Sequence, residues 1–168
     1  YPDTSGRDQS ADRLYTRQYT LNWVNSVKLD ESWTLGGGAD WQRDMLDDSS
    51  RSSGVAFPSD ADERDNTGLY ALAQFDNQVW QAELSGRSDD NEQFGRHNTW
   101  QTGAGWRFVE DYRLSARYGT GFRAPSFNDL YYPGSGNPDL KPEESNSYEL
   151  MLDAQTAGVE WRLTGYRN

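Results

Sequence analysis

The feature that most constrains this chain is a period of two. From Tyr15, alternate positions read Tyr15, Arg17, Tyr19, Leu21, Trp23, Asn25, Val27 and Leu29, while the intervening ones read Thr16, Gln18, Thr20, Asn22, Val24, Ser26 and Lys28. Successive side chains of a strand point to opposite faces, so such a segment has one mainly apolar and one polar side. The pattern returns at Trp33–Gln42, Leu69–Phe75, Trp80–Leu84, Thr99–Phe108, Tyr112–Gly119, Ser147–Ala154 and Val159–Thr164. About eight segments follow this rule and no stretch reads convincingly as a helix. The expected fold class is all-β, an antiparallel up-and-down meander of about eight strands.

The polar faces carry Thr, Gln, Gly, Arg, Ser and Glu, too wet for a dry core. Only 34% of the 168 residues are hydrophobic and the mean hydropathy is -1.01. Yet 14% are aromatic, which argues against a disordered chain. Period alone is equally compatible with a soluble sandwich that wets one face of each sheet. Two further features favour a membrane barrel. Connections alternate in length: short near Leu29–Ser32, Asp76–Gln78, Val109–Asp111 and Thr156–Gly158, longer near Asp47–Asn66, Asp89–His97 and Phe122–Ser145. Large aromatics also mark both ends of the apolar faces. Trp33, Phe75, Trp80, Phe108 and Tyr112 flank the short turns, and Trp41, Trp100, Tyr118 and Tyr148 sit towards the long loops. A strand from Trp100 to Phe108 is about 26 Å long. Tilted by about 40°, it spans roughly 20 Å, close to the lipid-facing band of an outer-membrane barrel.

Charge and composition remove other classes. The formal net charge is -11, which repels nucleic acid, so no nucleic-acid partner is expected. There is no cysteine, hence no disulfide framework and no thiol chemistry. With a single histidine, His97, a histidine metal site or a serine–histidine triad has little material. No run of 18 apolar residues exists to form a transmembrane helix. The opening YPDTSGRDQSAD reads as a loop, so the expectation is a piece of something longer.

Several constellations have both a chemical and a plain reading. The loop Asp47–Asn66 holds Asp47, Asp48, Asp60, Asp62, Glu63 and Asp65, which could bind Ca²⁺, but no EF-hand pattern is present and a solvated acidic loop is the simpler reading. Asp89, Asp90 and Glu92 have the same simple reading. His97 near Asp89 and Asp90 lacks any nucleophile motif such as G-x-S-x-G and reads as a structurally satisfied histidine. Gly119-Thr-Gly121 is an incomplete dinucleotide fingerprint. Gly36, Gly37, Gly38, Gly103 and Gly105 within strands either relieve bends or leave room for something packed close inside. The long loop after Tyr118 carries Arg123, Phe127, Asn128, Asp129, Tyr131 and Tyr132, with its aromatic residues expected to be exposed. They either contact a ligand or close a self-packed Ω-type loop over the barrel mouth.

That same loop carries a resemblance. YGTGFRAPSFNDLY, followed by GNPDLKPEESNSYEL, resembles the late-barrel region of TonB-dependent outer-membrane receptors, with its F-[RK]-A-P and NP-L-PE-S elements. RSDDNEQFGRHNTWQTGAGWRF, QYTLNW and AGVEWRLTGYRN are narrower and look like the cobalamin (vitamin B12) receptors of that family. The similarity covers nearly the whole chain and is weakest in the acidic loop.

The resemblance implies a 22-stranded transmembrane barrel filled by a plug, in the bacterial outer membrane. Such a receptor binds cobalamin from outside, with Ca²⁺ ordering some loops, and draws energy through TonB. Residues 1–168 then form a single partial barrel domain without plug, TonB box or remaining strands, contacting outer-membrane lipid. The family's Ca²⁺ loops fall before this segment, so no metal site or cofactor is expected here. Aligning Gln18-Tyr19-Thr20 with the family places one cobalamin-contacting position at Asp12, where the family has threonine. The candidate ligand residues are thus Asp12, Arg123, Asn128, Tyr131 and Tyr132. The implied activity is binding and gated passage, not enzymatic. Rival readings are a siderophore receptor of the same superfamily, or a small non-membrane barrel that binds or catalyses. A run of strands with two exposed edges is also expected to pair them with another copy or to close on itself.

Overall fold

The computed structural model describes residues 13–50, 63–132 and 135–168, with the side chains of 13–15 and 47–50 excepted. Eight strands run in chain order: β1 (Arg13–Lys28), β2 (Trp33–Ser50), β3 (Glu63–Asp76), β4 (Trp80–Asn91), β5 (Gly95–Val109), β6 (Tyr112–Arg123), β7 (Glu143–Thr156) and β8 (Val159–Arg167). Each pairs antiparallel with its neighbour in sequence, giving one sheet of order β1 to β8. The meander expected from the period of two is therefore observed. The sheet stays open: its linear order leaves β1 and β8 as edges, so these strands do not close on themselves.

Register keeps the apolar positions together. Leu21 faces Trp41, Trp23 faces Ala39 and Val27 faces Leu35 across β1 and β2. The row continues through Ala39–Leu69, Ala73–Leu84, Leu84–Thr102, Ala104–Ala116, Ala116–Leu150 and Leu152–Leu163. A one-residue slip would turn every one of these side chains to the other face, so the pattern itself pins the pairing.

The apolar face is exposed rather than packed: Leu21 is 70% accessible, Trp23 61% and Leu163 65%. Among the described residues the buried hydrophobic set is only Phe127, Leu130, Met151 and Ala154. Aromatic side chains form a lower belt along the short-turn ends. Trp33 meets Phe75 at 5.1 Å, Trp80 stacks on Trp106 at 5.5 Å, and Phe108, Tyr112 and Trp161 carry the row onwards. An upper belt joins Trp100 to Tyr118 at 4.9 Å and Tyr118 to Tyr148 at 4.8 Å. Both girdles stand where the sequence placed them. Beyond the upper belt the same face becomes ionic, with Arg43 held bidentate by Asp65 at 2.7 and 2.6 Å and Arg96 paired with Asp90 at 3.1 Å. Apolar surface between two aromatic girdles has the chemistry of a lipid-facing band.

The short turns are built locally. The Asp30 carboxylate accepts from the amides of Ser32 and Trp33, both at 2.8 Å. Asn77 accepts from the amide of Trp80 at 2.7 Å, while Gln78 takes a left-handed φ of 73°. The β7–β8 turn puts both central residues left-handed, Ala157 at 53° and Gly158 at 78°, the twist a two-residue hairpin requires.

Three expectations need correcting. The connection expected over Asp47–Asn66 loses both its ends to strands, since β2 runs to Ser50 and β3 begins at Glu63. The connection expected over Asp89–His97 is much shorter, because Asp89 pairs with His97 and Asn91 with Gly95, leaving residues 92–94 as the turn. The loop after Tyr118 is also shorter at both ends, since Gly119–Arg123 belongs to β6 and Glu143–Ser145 to β7. It further contains a helix, α1 (Phe127–Tyr131), where none was expected.

Candidate functional site

Site geometry begins with what holds α1 in place. Ser126 is its N-cap: its hydroxyl accepts from the Asp129 amide at 3.2 Å, and the Asp129 carboxylate accepts from the Ser126 amide at 2.9 Å and hydroxyl at 2.8 Å. This is a reciprocal capping box. The Ser126 amide and hydroxyl, helped by the nearby Arg123 charge, hold the Asp129 carboxyl below its ordinary range. Five residues cannot sustain a helix alone, so the cap and docking must supply the rest.

Docking is one-sided. Phe127 and Leu130 are buried, Leu130 being 1% exposed, while Asn128 and Tyr132 face outwards. Phe127 was expected among the exposed aromatics; the structure corrects this, because the helix turns it inwards under the guanidinium of Arg64 at 5.1 Å. Tyr131 is half-buried, and its hydroxyl accepts from Gln93 at 3.2 Å. The loop thus folds back over the ends of β3 and β4.

The predicted ligand set is divided by this arrangement. Arg123 is 70% exposed and stands 3.9 Å from Asp129 and 3.7 Å from Glu143. It lines a cavity of about 140 Å³ with Pro125, Asp129, Leu140, Lys141 and Glu143. Asn128 and Tyr132 lie on the outward side of α1, outside that lining. Asp12 lies outside the described residues, as do Asp60 and Asp62 and the side chains of Asp47 and Asp48. Sequence reasoning missed Arg64, Gln93 and Lys141 as parts of this region.

His97 is a packing residue. Its ring stacks on Phe122 at 3.8 Å, nearly parallel, and its Nε2 lies 3.0 Å from the Phe94 carbonyl. Among the described residues, no group of three His, Cys, Asp or Glu side chains is arranged to hold a metal ion.

The polar face is a wall of paired charge. Arg87 is the hub, giving Asp40 two bonds of 2.6 and 2.9 Å and Asp89 two of 2.7 and 2.6 Å. Asn66 adds a bond to Asp89 at 2.9 Å. The bare backbone of Gly68 makes room: a Cβ there would run into the Arg87 guanidinium and lie 2.8 Å from Asp40. Lower down, Asp153 takes Arg162 at 2.5 Å and Arg113 at 3.3 Å, while Glu83 accepts from Gln74 and Gln101. Gly103, between Glu83 and Arg117, and Gly105, between Gln81 and Ser115, line a broad trough of about 540 Å³ on this face. Such a surface stays hydrated and offers hydrogen bonds.

Comparison with known proteins agrees with this architecture. The family described as TonB dependent receptor-like, beta-barrel, matches residues 1–168. The chain is 42% identical over 159 residues to the vitamin B12 transporter BtuB of Photobacterium profundum, covering 95% of this chain and 25% of that protein. It therefore spans about a quarter of the length of this relative. Among solved structures, the siderophore receptor PirA from Pseudomonas aeruginosa superposes with a TM-score of 0.75 at 23% identity, covering 90% of this chain and 30% of that one. The FrpB iron transporter from Neisseria meningitidis gives 0.69 at 15% identity, with 91% and 28% covered. At such identities these two show the shared fold alone.

Proposed function

The chain belongs to the TonB-dependent receptor β-barrel family, and from that premise we propose that it forms part of the wall of an outer-membrane receptor that takes up vitamin B12. The observation that carries the reading is the 42% identity to a vitamin B12 transporter across 95% of the chain. The rival, a siderophore receptor, is favoured by the names of the structural neighbours, but these are 23% identical or less.

In this reading residues 1–168 are one run of eight wall strands within the 22-stranded barrel that the resemblance implies. The band between the aromatic girdles meets lipid, and the charged face lines the lumen. The short turns lie on the periplasmic side and the loop with α1 faces outwards. The work is binding and gated passage rather than bond chemistry. Ligand arrives at the outer loops, where Arg123, Asn128, Tyr131 and Tyr132 are the proposed contacts, with Asp12 a further one. TonB supplies the energy through parts of the receptor beyond these strands. Ca²⁺ is proposed only for the whole receptor.

The experiment is uptake. The full receptor carrying this chain is placed in a bacterium lacking its own vitamin B12 receptor, and labelled vitamin B12 and ferric enterobactin are offered in turn. TonB-dependent accumulation of vitamin B12 alone is the expected result. Accumulation of the ferric siderophore instead would overturn the reading in favour of its rival. Within a working receptor, Tyr132→Ala and Arg123→Ala are each expected to weaken vitamin B12 binding about tenfold, the effect of losing one good polar or aromatic contact.

A further inference from the structure

The geometry points to Arg64 as a positioning residue: its guanidinium latches the β6–β7 loop, and with it Asn128, Tyr131 and Tyr132, onto the ends of β3 and β4. The inference rests on the receptor reading above and concerns how the ligand-facing loop is held.

Arg64 sits near the start of β3, directly opposite Asp44 in the register with β2. It is 7% exposed, and arginine is seldom buried so completely unless its charge and donors are matched. Asp44 answers the charge at 3.3 Å. The remaining partners come from other connections. The Pro125 carbonyl, 61 positions away in sequence, accepts at 2.9 Å, and the Gln93 side chain accepts at 3.2 Å. The planar group also lies over two rings, Phe94 at 5.6 Å and Phe127 at 5.1 Å. One side chain therefore joins the β2 wall, the β4–β5 turn and the β6–β7 loop.

These contacts use properties that only arginine has. A rigid fork reaches two acceptors at once, and a flat, weakly hydrated cation stacks on aromatic faces. Lysine keeps the charge facing Asp44 but loses both. A wall pair alone would need only Asp44. The bond to Pro125, one residue before the helix cap, sets where α1 begins. Burial of Phe127 and Leu130 then leaves Asn128 and Tyr132 facing outwards. Because a five-residue helix has no independent stability, losing the anchor releases the whole loop.

The test uses the full receptor in lipid vesicles. Asn98→Cys and Asn128→Cys, with any cysteine outside these 168 residues replaced by serine, carry spin labels that report the distance from β5 to α1. Unlabelled receptor reports the release rate of vitamin B12. With Arg64 intact, one narrow distance distribution is expected. In Arg64→Met and Arg64→Lys it broadens, and vitamin B12 leaves about tenfold faster, as expected when a buried charge-assisted hydrogen bond is lost. Phe127→Leu keeps the apolar burial and removes the ring, so it broadens the distribution less, and combined with Arg64→Lys it adds little. If Arg64→Met does not reach the membrane, Arg64→Lys and Phe127→Leu carry the same comparison. An unchanged distribution and release rate in the lysine variant overturn the latch. A receptor that binds no vitamin B12 overturns the functional reading instead, and the distance measurement still decides the latch.

Discussion

At the scale of single residues, the outer loop depends on a few side chains with several partners each. Asp129 caps α1 and stands beside Arg123. Its folded pKa is depressed, so its contribution is fully present above the ordinary value of 3.8 and is lost as pH falls through the lower folded value. The expected outcome is a label distance across Asn98 and Asn128 that is narrow at neutral pH and broadens as pH falls below 3.8. Asp129→Asn retains an acceptor for the Ser126 amide and should remove that acid dependence. Broadening that begins near neutral pH would show that another group controls the loop. The cap was legible in principle, since Ser126 and Asp129 have the capping-box spacing. It was missed because five residues are too few to show a helical period. Arg64 left still less trace, because its partners meet only once the strands are paired.

At the scale of elements, the period of two locates strands only where the two faces differ in polarity. Between the girdles apolar and polar side chains alternate and the pattern is plain. Beyond Trp41 and Trp100 both faces are mainly polar in sequence, so β2 continues to Ser50 and β4 to Asn91 with no alternation to mark it. That is why the Asp89–His97 segment resembles a loop in sequence although all of it but residues 92–94 is paired. The asymmetry of faces can be tested on one strand. Leu84 is 57% exposed on the apolar face, opposite Thr102 and between the two belts, and Ser85 is its neighbour on the polar face. Leu84→Arg is expected to cost about 2–4 kcal/mol in the full receptor, and Ser85→Arg far less. Equilibrium unfolding from lipid vesicles measures both. Equal costs would mean that the apolar face does not meet lipid.

At the scale of the whole molecule, the sheet has two unsatisfied borders. All residues of β8 are exposed, and β1 offers a 16-residue edge on the other side. Bare edges are templates for pairing with another chain. In detergent-free buffer, sedimentation of the 168-residue chain is expected to show assemblies rather than a monomer. A stable monomer with slow amide exchange along β1 and β8 would contradict this. The family was legible because the F-R-A-P and N-P-D-L-K-P-E-E-S elements of the outer loop are specific. The proposed ligand contacts were less so, since the loop that carries Asn128 and Tyr131 is held through Arg64 and Gln93 from distant strands, and Asp12 lies outside the described residues.

The strict neighbour-to-neighbour order also has a consequence in time. No strand waits for a partner from a distant part of the chain, so loop-closure entropy is low and the sheet can grow one hairpin after another. Each short turn can close on its own, since the Asp30 and Asn77 side chains bond the turn amides from within the turn. The wall is thus assembled from local pieces, and the rate is set by how fast neighbouring hairpins zip rather than by a search for distant strands.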